Sequence, residues 1–207
     1  METIIGRVRP GWRFWLAWMF VTIAGVIGYV IIVAPILNAV SERLRGTQGE
    51  LGIGMLLGAV SAITLGATIG AAQWLVLRRQ LPRTGWWILA TLIGYSMPMA
   101  FGSLISGLEP PWLASLVNFI EFGVVLGALQ WLVLRGRIDH AGWWIAISIA
   151  GWAIAAALID IAYISGLYVE PFDLLAAFIV PVAAAGCGIV WLLRPPATAI
   201  SPENLPR

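Results

Sequence analysis

Two acids in otherwise uncharged stretches are the residues of this chain best placed to do chemistry. Glu121 is the one charge between Glu109 and Arg135, and Asp160 the one charge between Asp139 and Glu170. A carboxyl group in such a setting costs about 2.5–3.5 kcal/mol to insert in a membrane and turns toward a bundle interior or a partner. Asn118 lies one turn before Glu121, and Tyr163 about one turn after Asp160. Together the four make a candidate intramembrane polar site for proton-coupled transport or cation binding. The plainer alternative is two neutral acids hydrogen-bonded within a bundle. Both lie roughly 9–15 Å from the outer ends of their helices, a depth at which they could share a layer and a proton; whether they face each other is left open by the sequence.

Little other chemistry is open to the chain. His140 is the only histidine and Cys187 the only cysteine, and there is no lysine. A zinc site needs several His or Cys ligands. No axial histidine for haem or chlorophyll, no iron–sulfur ligand set, no Ser-His-Asp triad and no phosphate loop can be assembled. No catalytic residue, metal or cofactor is expected, and bound lipid is the one ligand class that is.

The elements carrying these acids follow from charge spacing. The chain has 207 residues, 60% apolar and 11% charged, against about 25% charged in soluble domains. That excludes a soluble enzyme, a disordered chain, a disulfide scaffold and a nucleic-acid binder. Windows of 20 or more residues with no charge, or in two cases a single acid, predict six membrane-spanning helices, at roughly 14–38, 51–77, 86–108, 112–134, 143–167 and 172–193, each long enough for a hydrocarbon core of about 30 Å. The runs are too long and too uniformly apolar for barrel strands, and the first is too long for a signal peptide. The expected fold is all-α: one polytopic transmembrane domain over 1–207, with a short polar tail at 195–207.

Arginine placement predicts the orientation. With six spans, one side holds Arg7, Arg9, Arg13, Arg78, Arg79, Arg83, Arg135, Arg137, Arg194 and Arg207, and the other holds Arg43 and Arg45. By the positive-inside rule both termini are cytoplasmic.

A repeat organises the helices. Gly70-Ala71-Ala72-Gln73-Trp74-Leu75-Val76-Leu77-Arg78 recurs, with one change, as Gly127-Ala128-Leu129-Gln130-Trp131-Leu132-Val133-Leu134-Arg135, and Gly85-Trp86-Trp87-Ile88 recurs as Gly142-Trp143-Trp144-Ile145. Weaker copies are Gly11-Trp12 and Trp191-Leu192-Leu193-Arg194. The outer turns Ser106-Gly107-Leu108-Glu109-Pro110 and Ser165-Gly166-Leu167 with Glu170-Pro171 also correspond. The unit is a helical hairpin, present three times at about 11–78, 85–135 and 142–194. Two spans per unit make the repeats parallel, which argues against an inverted-repeat transporter.

The repeated residues have structural readings. Trp74, Trp86, Trp87, Trp131, Trp143, Trp144 and Trp191 form an interfacial belt, rings at headgroup level and N–H groups wet. Gly66-x-x-x-Gly70 and Gly123-x-x-x-Gly127 bring helices together at the bundle centre, because lipid supplies no hydrophobic drive between helices. Gly54-x-x-x-Gly58 precedes them. Gln73 and Gln130 lie about 7 Å inside the terminal arginines and are expected to make interhelical polar contacts. In the third copy Val190 or a neighbour replaces the amide, so no complete ring of glutamines forms. Pro35, Pro98 and Pro181 mark possible kinks.

The stretch from Gln73 to Trp87, repeated from Gln130 to Trp144, resembles a group of multi-pass bacterial membrane proteins. The resemblance covers about a quarter of the chain. It implies a bacterial inner membrane and brings no catalytic residues. The expected role is therefore non-enzymatic: an accessory or structural subunit, or a scaffold, of a membrane assembly. Its partners would be lipids, other membrane subunits or a second copy, with no nucleic acid. The alternatives are a small proton- or cation-coupled transporter or channel using Glu121 and Asp160, and an apolar-ligand or pigment-binding protein using the tryptophan-rich rim.

Overall fold

The computed structural model describes residues 11–46, 50–105, 110–167 and 172–194. The arginines at 7, 9 and 207, the tail and most of the outer-turn motifs lie outside these residues. The described residues are helical, with no strand among them. The helices are α1 (Trp12–Gly28), α2 (Ala34–Leu44), α3 (Glu50–Leu77), α4 (Trp86–Ile105), α5 (Pro111–Leu134), α6 (Trp143–Ile164) and α7 (Phe172–Leu192). Among the described residues, Trp12–Leu44, Gly52–Leu77, Pro111–Leu134 and Trp143–Ile164 are long and apolar enough to cross a membrane.

α1 and α2 are one rod joined by a π-helical turn at Tyr29–Val33. Ala34 N–H bonds back five residues to the Tyr29 carbonyl. Pro35 follows and has no N–H to continue an ordinary i−4 ladder, so the slack is taken up just before it. The Tyr29 hydroxyl and Ser61 Oγ are hydrogen-bonded across this turn to α3. The rod ends at Leu44 rather than at the expected 38. Glu42 and Arg43 end the apolar window, but an exposed charge does not stop a helix, and Arg45 closes the end with an ion pair to Glu42 at 2.6 Å.

The rods form a closed ring. α1 packs on α3, α3 on α4, α4 on α5, α5 on α6, α6 on α7, and α7 returns to α1. No helix contact crosses the ring among the described residues. Side chains fill the interior in two clusters, one around Trp18, Trp87, Trp144, Leu77 and Leu134, the other around Tyr95, Trp152, Leu126 and Ile69. The outer surface is apolar too: Phe20, Met55, Ile31, Leu56 and Ile161 are all exposed. A surface of that kind suits lipid and is a liability in water.

The glycine pairs correct one expectation. They lie in the wall of the ring, in seams between neighbours, and no helix occupies the centre. A Cβ built on Gly66 would lie 2.8 Å from Leu92 Cα, and one on Gly123 would lie 2.6 Å from Ile149 Cα. Gly70 and Gly127 face Ile88 and Ile145 backbone at 3.1 and 3.2 Å. These seams bring α3 onto α4 and α5 onto α6 at close backbone contact. Gly54 and Gly58, by contrast, have no atom of a described residue within 4 Å of an added Cβ.

Candidate functional site

Three helices of the ring carry the same pair of side chains. Trp18 and Thr22 on α1, Trp87 and Thr91 on α4, and Trp144 and Ser148 on α6 each stand four residues apart. That spacing puts both on one helix face, and here the face is the inner one, since all six are buried. The three indoles meet edge to face at the centre, with centroids 5.9 Å apart for Trp18 and Trp87 and 5.6 Å for Trp87 and Trp144.

The glutamines hold this cluster. Trp87 Nε1 donates to Gln73 Oε1 at 3.0 Å, and Trp144 Nε1 donates to Gln130 Oε1 at 3.0 Å. The amide nitrogens reach the helix on the other side. Gln73 Nε2 donates to Thr22 Oγ1 at 3.4 Å, and Gln130 Nε2 donates to Thr91 Oγ1 at 3.0 Å. Thr22 and Thr91 spend their own protons on the Trp18 and Trp87 carbonyls at 2.8 Å, leaving their oxygens to accept. An indole N–H can only donate, so it fixes which end of the amide faces it. Each glutamine thus ties three consecutive helices: Gln73 on α3 joins α1 to α4, and Gln130 on α5 joins α4 to α6.

Trp18 is the exception. Its Nε1 is fully buried and has no hydrogen-bond partner among the described residues. The helix beside it is α7, where a Cβ on Gly186 would lie 3.2 Å from Trp18 Cδ1 and 2.9 Å from Trp15 Cδ1. In α3 and α5 the glycine three residues before the glutamine meets the residues one and four places after the tryptophan. The same antiparallel register on α7 puts Val182 at the glycine position and Ala185 at the glutamine position. Sequence alignment of the Trp191–Arg194 segment points instead to Val190. The packing of α7 on α1 moves the equivalent residue five places.

The acids do not form a site together. Glu121 and Asp160 are both half-buried. Gly123 packs on Ile149 and Gly127 on Ile145, so each step back along α5 is a step forward along α6. Glu121 is therefore level with Gly151, and Asp160 with Trp112 at the start of α5. Nine residues, about 13 Å of helix, separate their levels, so of the arrangements the sequence leaves open the two acids do not take the shared layer. Asn118 is half-buried and Tyr163 exposed. Among the described residues no group of three His, Cys, Asp or Glu is placed to hold a metal. Comparison with known protein families, curated proteins and solved structures finds no match for the chain.

The belt also needs division. Trp86, Trp143 and Trp191 are exposed at the edge of the ring. Trp74 and Trp131 are half-buried, with the Arg78 and Arg135 guanidiniums over their rings at 4.7 and 5.5 Å. Trp87 and Trp144, at 0% and 1% exposure, belong to the core instead. Adjacent residues point about 100° apart on a helix, so one member of each Trp-Trp pair faces out and the other in. The reading from sequence missed Trp18, Thr22, Thr91 and Ser148. The available signal was the Trp-x-x-x-Thr/Ser spacing, present once in α1, α4 and α6.

The loops that follow α3 and α5 are built alike. Arg83 and His140 both adopt positive φ, at 56° and 59°, just before Gly85-Trp86 and Gly142-Trp143. Arg137 donates to the Val133 carbonyl and, at 3.3 Å, to the Arg83 carbonyl, which ties one junction to the other.

Proposed function

We propose that the chain is a six-span inner-membrane protein of bacterial type, made of three parallel hairpins with both termini cytoplasmic, and that it serves as a non-enzymatic structural or accessory subunit of a membrane assembly. Four helices of membrane-spanning length and an apolar exterior support the membrane setting. The matched Trp-Gln contacts and glycine seams of the first two junctions support the hairpin unit.

One observation carries the subunit reading. Gly66, Gly70, Gly123 and Gly127 are all consumed by seams within the ring, while Gly54 and Gly58 on the same helix as the first pair meet no atom of a described residue within 4 Å. Met55, between them in the sequence, is exposed as well. A free small-x-x-x-small face is what a membrane helix offers to another helix. Gln73, Gln130, Thr22, Thr91, Trp87 and Trp144 spend their polar groups on each other in the Trp-Gln ladder, and the separation of Glu121 from Asp160 weighs against a transporter or channel that shares a proton between them.

Purification from native membranes in mild detergent should recover a stoichiometric partner or a second copy. Gly54→Leu and Gly58→Leu should reduce that recovery at least several-fold while leaving the helical signal and thermal midpoint of the chain unchanged. A wild-type protein that is monomeric in every mild detergent sinks the reading.

Orientation is tested separately with single cysteines. In a Cys187→Ser background, Asp139→Cys should react with a membrane-impermeant maleimide only after the cells are opened. Ser165→Cys should react in intact spheroplasts. The reverse pattern would invert the topology.

A further inference from the structure

A cavity lies at the incomplete third position of the Trp-Gln ladder. Trp18, Gln73, Gln130, Trp144, Ser148, Val182 and Ala185 are among the residues that line it. Its volume is about 30 Å³, and on the same measure one water needs about 10–15 Å³.

Two polar groups at this place differ from their counterparts. Trp87 and Trp144 each have a glutamine oxygen, whereas the Trp18 N–H is unpartnered and fully buried. Thr22 and Thr91 each donate to a backbone carbonyl and accept from a glutamine, whereas the Ser148 hydroxyl makes no such bond to any described residue. Where the first two positions have an amide linking an indole to a hydroxyl, the third has Ala185 with a methyl group. A buried N–H without an acceptor is costly; the walls are largely apolar, with Leu126, Trp152 and Pro181 among them, but ordered water is held where two to four polar groups converge.

We propose that this cavity is a binding site for water, which accepts a hydrogen bond from Trp18 Nε1 and bonds to Ser148 Oγ in place of the missing amide. Its chemistry selects small neutral molecules with both an acceptor and a donor. It is too small for a lipid chain or a pigment.

The test uses the full chain in detergent micelles, labelled with 15N at the indole nitrogens. Trp18→Phe assigns the Trp18 indole proton. In wild type that proton should show a magnetisation-transfer cross-peak to water, while Trp87 and Trp144 should show none. Ala185→Gln should abolish the cross-peak, keep the proton at a hydrogen-bonded shift, and melt about 2–4 °C above Ala185→Leu, which fills the space and leaves the N–H unpaired. The second arm is xenon, which enters dry apolar cavities. No water cross-peak in wild type, together with xenon-induced shifts at Trp18 and Trp144, overturns the proposal. Because both wild-type measurements stand alone, a poorly folding Ala185→Gln does not protect it.

Discussion

Gly123→Leu is expected to force α5 away from α6 and leave a protein that loses its helical signal on mild heating in detergent. Even the first carbon of a new side chain finds no room. It would lie 2.6 Å from Ile149 Cα, 3.0 Å from Ile149 N and 3.1 Å from the Ser148 carbonyl. All three are backbone atoms of a helix whose other face packs on α7, so no rotamer change relieves the clash. Overpacking costs about 1–3 kcal/mol and sometimes more, and in a chain of this length each kcal/mol moves the midpoint by about 2–4 °C. Gly123→Ala should already lower it, as should Gly66→Ala, whose Cβ meets Leu92 Cα at 2.8 Å. Gly25→Ala should be close to neutral, since its nearest contacts are 3.6 Å away. Gly54→Ala should do nothing to the midpoint. Thermal unfolding followed by circular dichroism ranks the four, and equal midpoints for Gly123→Ala and Gly54→Ala would contradict the seam.

That ranking also marks where reading the sequence stops. Charge spacing finds the helices to within a few residues at most ends, because burying a charge in lipid is expensive. It fails at the end of the first rod, where Glu42 and Arg43 are exposed and the helix continues past them. The glutamines are visible as interhelical groups because an amide inside an apolar window must find a partner. Their partners are not visible, because Trp86 and Trp87 are the same residue type and only helix rotation sends one outward and the other to Gln73. The separation of Glu121 from Asp160 was hidden for a related reason. Counting from helix ends presumes that α5 and α6 begin level, whereas their offset is set by the contacts of Gly123 and Gly127. Ala185 is the sharpest case: the sequence points to Val190, and the packing of Gly186 on Trp15 and Trp18 assigns a different residue.

The amide-indole ladder should be worth more than its individual bonds, and Gln130 is where this is largest. Gln130→Leu keeps most of the volume but leaves the buried Trp144 N–H with no acceptor and takes a donor from Thr91, for a cost of about 1–3 kcal/mol. Trp144→Phe removes the donor and leaves the Gln130 oxygen unsatisfied at similar cost, plus the loss of part of the contact with Trp87 at 5.6 Å. Once Gln130 is leucine, however, Trp144→Phe no longer strands an oxygen. The double variant should therefore be less destabilised than the two single costs added together, by about 1 kcal/mol or more for groups in direct contact. The pair at Gln73 and Trp87 should give a smaller penalty for the glutamine, because Gln73 holds Thr22 at 3.4 Å where Gln130 holds Thr91 at 3.0 Å. Midpoints of all singles and doubles in one detergent decide it. If each pair is additive, the bonds do not act as a unit and the indole cluster alone holds that end of the ring. If they are coupled, each glutamine joins three helices at once, so a loss at Gln130 spreads to α4, α5 and α6 together.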